Sequence, residues 1–113
     1  MNDRKGVIAV DFDGTIVEHE FPKIGPLKPN AKEVLQELHK HHHIIIWTCR
    51  KGEYLQEALE FLKENNIPFD KANRNIDGID FTSNKVYADV YIDDRGLGCE
   101  INWSKIRQSI LGR

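Results

Sequence analysis

Cysteine is scarce in this chain: Cys49 and Cys99 are the only two in 113 residues. Two scattered thiols cannot form a disulfide framework, so two free thiols in a reducing cytoplasm are expected and a disulfide-built secreted scaffold is excluded. Long apolar runs are missing as well. None approaches the ~18 residues that a membrane span requires, and no transmembrane helix is expected. Neither sign of charge is in excess, since 16 basic and 18 acidic residues leave a formal net charge of −2. That balance gives no specific nucleic-acid signal and no footprint for an anionic membrane. Met1 to Gly6 run almost at once into Asp11 and Asp13, not into an apolar stretch with a small-residue cleavage site, so no signal peptide is read there. The length falls within the ~100–150-residue mode for one domain, and residues 1–113 read as a single domain with no room for a second.

What is present is an alternation of short apolar runs and amphipathic stretches. Val7-Ile8-Ala9-Val10 reads as a strand buried on both faces. Thr15 to Pro29 holds three prolines and Gly25, and reads as an ordered loop or small hairpin. Asn30 is expected to cap a helix carrying Ala31, Val34, Leu35 and Leu38 on one face. Ile44 to Trp47 reads as a second strand, and a helix from Gly52 places Leu55, Ala58, Leu59 and Leu62 on one face before Asn65-Asn66 and Pro68 end it. A short strand is expected within 68–72, a polar loop with an Asp77-Gly78 turn over 73–84, a strand over Val86 to Ile92, and a last helix around Trp103, Ile106 and Ile110. Strands alternating with helices of this length predict a parallel sheet built from right-handed crossovers. In such α/β sheets chemistry gathers beyond the carboxyl ends of the strands.

Those ends carry a consistent set of residues. The first strand runs into Asp11-Phe12-Asp13-Gly14-Thr15, and alternation along an extended segment turns Asp11 and Asp13 to the same side. At ordinary residue frequencies D-x-D-G-T arises by accident in roughly one chain in a thousand of this length. An Asp-rich turn with a helix cap would account for one Asp and the Gly, not for both carboxylates. The second strand ends at Thr48, a hydroxyl, followed by Cys49-Arg50-Lys51 at a helix entry, where free N–H groups favour an anion. The last strand ends in Asp93-Asp94, so that four acids are expected to face one another. Like charges ~4 Å apart repel by a few kcal/mol per pair, and such a group must recruit a cation or hold protons. All-oxygen ligands suit Mg²⁺. Lys85, just before the last strand, would supply a balancing positive charge.

In this order, Asp11 to Thr15, Thr48, Lys85 and Asp93-Asp94 resemble the four motifs of the haloacid dehalogenase superfamily of Asp-dependent phosphohydrolases. The likeness spans Val7 to Asp94 and is closest to small capless members of that superfamily, with Lys71 as another match for the lysine. It implies a three-layer Rossmannoid α/β fold, a parallel sheet with helices on both faces and no sizeable cap. It also implies a Mg²⁺-dependent phosphatase in which Asp11 is the nucleophile, Asp13 the general acid and base, and Thr48 and Lys85 the stabilisers of phosphoryl charge. The metal ligands implied are Asp11, the backbone carbonyl of Asp13, and Asp93, with Asp94 as ligand or supporting partner. Gly14, Thr15, Cys49, Arg50 and Lys51 are the expected substrate contacts, joined by Arg74. Residues 15–26, with Phe21, Pro22 and Ile24, are expected to form a small flap over the site.

Two further classes share these features. One is a receiver-like phospho-acceptor domain, in which the adjacent acidic pair would come early in the chain and not last. The other is a catalytically idle module that binds Mg²⁺ or a phosphorylated ligand. The His39-Lys40-His41-His42-His43 run reads as cationic residues at a helix end, not as a metal site. Trp47 and Trp103 read as core, and Cys49 as a small buried residue. With so little cap, a phosphorylated substrate or a second copy of the chain would have to shield the open site.

Overall fold

The computed structural model describes residues 6–79 and 84–113, so the reading of Met1 to Lys5 and residues 80–83 of the polar loop lie outside the described residues. Four strands, β1 (Val7–Val10), β2 (His43–Ile46), β3 (Lys71–Ala72) and β4 (Val90–Ile92), form one sheet in the order β3-β2-β1-β4. Every pairing is parallel. Val7 aligns with His43 and Val10 with Ile46 on one side of β1, while Ile8 aligns with Val90 and Val10 with Ile92 on the other. β1 is thus hydrogen-bonded along both edges, and its four residues are all buried. Three helices, α1 (Ala31–His39), α2 (Gly52–Glu64) and α3 (Trp103–Leu111), complete the α/β domain.

Side chains alternate across the sheet, and the two faces meet different partners. Ile8, Val10, Ile44 and Ile46 join Leu35 and Leu38 of α1, Ala58 and Leu62 of α2, and Trp103 of α3 in the main core. Val7, Ala9 and Ile45 pack instead with Val86 and Ala88, and with the partly buried Trp47, Ile76 and Ile79. The parallel α/β class without a sizeable cap is therefore as the sequence indicates, but the expected helices on both faces are found on one face only among the described residues. The strand order supplies the reason. The steps from β1 to β2 and from β2 to β3 move the same way, so same-handed crossovers put α1 and α2 on one face. Among the described residues between β3 and β4, Ile76, Ile79, Val86 and Ala88 lie against the other face, and none of them belongs to a helix.

Local details differ from the simplest reading of the sequence in the same region. The strand expected over Val86 to Ile92 begins only at Val90, although Val86 and Ala88 are buried. At two positions before it the backbone is satisfied by side chains: Tyr87 N–H donates to Asn75 Oδ1 (2.7 Å) and Ala88 N–H to the Tyr91 hydroxyl (3.1 Å), while Asp89 N–H donates to the Val7 carbonyl (2.8 Å). β3 likewise shrinks to two residues, and β2 starts at His43 and stops before Trp47. Asn30 occupies the cap position of α1, but its φ of 67° is left-handed and its side chain caps nothing. Its amide donates instead to Ser104 Oγ (3.1 Å), tying α1 to α3. His39 in the last turn of α1 lies 3.3 Å from Asp70, whose other oxygen accepts from Ile44 N–H (2.8 Å). His39 thus joins the end of α1, through Asp70, to the start of β2. Among the described residues no helix is long and apolar enough to cross a membrane.

Trp103 joins the last helix to the first loop. It is 2% exposed, and its indole N–H donates to the Thr15 carbonyl (3.0 Å). Trp103→Phe keeps most of the apolar contact but strands that buried carbonyl, so urea unfolding is expected to show a loss of about 1–3 kcal/mol. An unchanged unfolding midpoint would show that the bond contributes nothing.

Candidate metal and phosphoryl site

Strand order reverses at β1, and the site lies beyond its carboxyl end, where a switch point in an open parallel sheet leaves a crevice. The ladder continues one residue past each strand: Asp11 N–H donates to the Ile92 carbonyl (2.9 Å) and Trp47 N–H to the Val10 carbonyl (2.8 Å). Asp11 and Asp93 are therefore fixed next to each other by backbone, before any side-chain contact forms. The chain then turns tightly around the Phe12 carbonyl, which accepts from the N–H groups of Thr15, Ile16 and Val17. Phe12 is fully buried and anchors the turn. Gly14 adopts a φ of 83°, and a Cβ there would lie 2.3 Å from Asp94 Oδ2, so only glycine allows Asp94 to approach.

Thr15 is fully buried, and its hydroxyl links both sides of the site. It accepts from Asp94 N–H (3.1 Å), and its single proton is within reach of Asp11 Oδ2 (3.3 Å) and Asp94 Oδ1 (3.4 Å). Asp11, Asp93 and Asp94 each place one carboxylate oxygen within 4.8 Å of the others, an arrangement that can hold a metal ion. Burial first, and then the Asp93 charge and the hydrogen bond with Asp94, push Asp11 from 3.8 up to about 7. A cluster that penalises its own ionisation is one that a cation would stabilise, and the donor set, oxygen only, suits a hard cation.

A cavity of about 320 Å³ opens over these groups. The first loop contributes Asp11, Asp13, His19 and Phe21, the end of β2 contributes Thr48, Cys49 and Arg50, and the segment after β4 contributes Asp93 and Arg95. Thr48 is held there from two directions: its N–H donates to Asn73 Oδ1 (2.8 Å), and its hydroxyl accepts from Arg50 N–H (3.1 Å). Asn73, with a left-handed φ of 56°, follows β3 at the same edge of the sheet.

The structure revises several expected roles. Three of the four acids converge, while the Asp13 carboxylate turns to Arg50. Arg50 is neither a solvated charge nor a free substrate contact, being 2% exposed with all five N–H donors engaged. Its Nε and Nη2 grip Asp13 at 2.7 and 2.8 Å, Nη2 also donates to the Lys23 carbonyl (3.1 Å), and Nη1 donates to the carbonyls of Pro22 (3.4 Å) and Tyr54 (3.3 Å). The Phe12 and Phe21 rings lie 5.3 and 5.0 Å from its guanidinium carbon. Cys49 is exposed, not buried, and lines the cavity. Lys51 and Arg74 are exposed and do not line it. Lys85 is also exposed, with its ammonium 5.1 Å from the centre of the Tyr91 ring, and does not line the cavity. Lys71, the other match, pairs with Asp77 (3.1 Å). Within the expected flap, Phe21 and also His19 line the cavity, whereas Pro22 borders a separate cleft and Ile24 packs against the main core. His19, Asn73 and Arg95 escape a reading by motif, because nothing in their local sequence sets them apart from solvated loop residues.

Two outcomes test this geometry. Because Asp11 is raised in the fold, its contribution to stability is complete below its unfolded value of 3.8 and is lost as pH rises through about 7. In metal-free buffer the melting temperature of Asp11→Asn should therefore gain on that of the unaltered protein between about pH 4 and about pH 8. Parallel curves would remove the assigned environment of Asp11. Gly14→Ala should lower stability by about 2 kcal/mol or more in urea unfolding, since it combines a left-handed backbone with a clash against Asp94.

Neither a protein-family model nor a curated protein matches the chain. Among solved structures, a conserved protein from Bacteroides thetaiotaomicron superposes with a TM-score of 0.87 and is 41% identical, over 95% of this chain and 90% of that one. Likeness of that extent in both sequence and fold shows common descent, and the chain belongs to the same family as that bacterial protein.

Proposed function

We propose that this protein is a Mg²⁺-dependent phosphatase of the haloacid dehalogenase type, working through an aspartyl-phosphate. The observation that carries the reading is the meeting of Asp11, Asp93 and Asp94 at the switch point, with Asp11 and Asp93 lining one cavity together with Asp13 and Thr48. Asp11, Asp93 and Asp94 would hold the cation. When bound, it would neutralise the carboxylates and the phosphate so that one anion can approach another.

An Asp11 oxygen would attack phosphorus, and the bond from phosphorus to the ester oxygen would break on the opposite side. Asp13 would give the departing oxygen a proton. In the second half water would attack the phosphoryl group, Asp13 would take its proton, and phosphate would leave with Asp11 restored. The Arg50 fork occupies one lone pair on each Asp13 oxygen, which leaves acceptor capacity for that proton. Thr48 would steady a phosphoryl oxygen from the end of β2, and Asn73 would hold Thr48 in place.

One observation favours a second reading, a phosphoryl-accepting or phospholigand-binding domain without turnover: Lys85 does not line the cavity. Turnover of p-nitrophenyl phosphate separates the two. The phosphatase reading expects release of p-nitrophenol that requires Mg²⁺ and falls by about a thousandfold or more in Asp11→Asn. Activity that survives this substitution would overturn the nucleophile assignment. Labelling at Asp11 without phosphate release would establish the second reading.

A further inference from the structure

We propose that Arg50 is a positioning residue that fastens the flap tip and the Asp13 carboxylate into one unit, a role that rests on the proposed reading only for its effect on turnover. The loop from Glu18 to Pro26 is pinned at its base by the Glu18 N–H bond to the Pro26 carbonyl (2.8 Å) and the contact of Val17 with Leu27. Gly25 passes so close that a Cβ would lie 2.3 Å from the Glu18 carbonyl oxygen. Backbone therefore sets where the flap leaves the core, but not where its tip rests. At the tip, Phe21 contacts the Tyr54 ring edge-on (centroids 5.3 Å apart) and lies beside the Arg50 guanidinium, while the next two carbonyls accept from Arg50.

The same guanidinium grips both oxygens of Asp13. A planar fork with all five donors engaged has one orientation that satisfies them all, so the tip and Asp13 cannot shift independently. Moving the tip outward takes the Pro22 and Lys23 carbonyl acceptors away from the guanidinium that aims Asp13, and releasing Asp13 leaves a buried cation that must find another partner. The consequence is a site whose proton-transferring carboxylate is aligned only while Phe21 closes one side of the cavity. Lysine cannot replace this arrangement, because three donors on a point charge match neither the fork nor the count.

The test uses the full chain as wild type, Arg50→Lys and Asp13→Asn. Trypsin cleavage after Lys23, at the flap tip, is followed by mass under native conditions and divided by cleavage after Lys63 near the end of α2. Loosening of the flap raises this ratio, whereas general loss of stability raises both cuts together. The expected result is an increase of about tenfold in Arg50→Lys and a smaller increase in Asp13→Asn, which preserves size and tests the unit should Arg50→Lys fail to fold. With p-nitrophenyl phosphate, Arg50→Lys should lower kcat by about tenfold or more while KM moves less than about threefold. In an Asp13→Ala background the same change should cost kcat nothing further. A ratio that stays at the wild-type value in both variants, or kcat losses that multiply, would overturn the proposal. If wild type shows no turnover the phosphatase reading falls, and the cleavage ratio alone decides whether Arg50 fastens the flap.

Discussion

A strand that is hydrogen-bonded on both edges and buried on both faces has no freedom left at its end, and β1 imposes that constraint on everything around it. Its parallel neighbours both finish at the same level, so the residues following β1 and β4 emerge side by side. Carboxylates would separate if the chain allowed it. The Asp11 bond to the Ile92 carbonyl, the Gly14 turn and the buried Thr15 hydroxyl do not allow it. The energy to hold like charges together comes from the packing of Phe12, Ile8 and Val10 in the main core, far more than from any contact among the acids themselves.

Much of this was legible from residue order. The four strands, the three helices and the D-x-D-G-T turn follow from apolar period, glycine and proline placement, and the acids that end the runs. Boundaries were less legible, and β4 shows why: burial alternates through Val86 and Ala88, but pairing depends on whether the backbone finds a ladder, and here Asn75 and Tyr91 satisfy it first. Periodicity reports which side chains are inside; it says nothing of which group accepts each N–H.

The site divides along similar lines. Asp11, Asp93, Asp94 and Thr48 could be placed because each follows a strand directly, where spacing of one or two residues fixes direction. Arg50 could not, since its side chain is long and its partners other than Tyr54 lie 27 to 37 residues away in sequence. An arginine in a loop looks the same in sequence whether it is solvated or enclosed by carbonyls and aromatic rings. Only the fold reveals that Phe12, between the two aspartates of the first motif, and Phe21, of the expected flap, flank one guanidinium.

The covering of the sheet by helices on one side and irregular chain on the other has a dynamic meaning. On the helical side, three regular elements carry their own internal hydrogen bonds and share one core, so that face gives way only when much of the domain does. On the other side Val86 and Ala88 cover Val7, Ala9 and Ile45 through a segment whose described bonds are mostly single links to side chains. Such a cover can lift at lower free energy than global unfolding, as a small cooperative unit of its own. Amide hydrogen exchange would then grade the molecule by face: slow along β1 and β2 and through the helices, faster from Val86 to Ala88. Among the described residues, the chain entering β4, and with it the approach to Asp93, would then open more readily than β1 and β2.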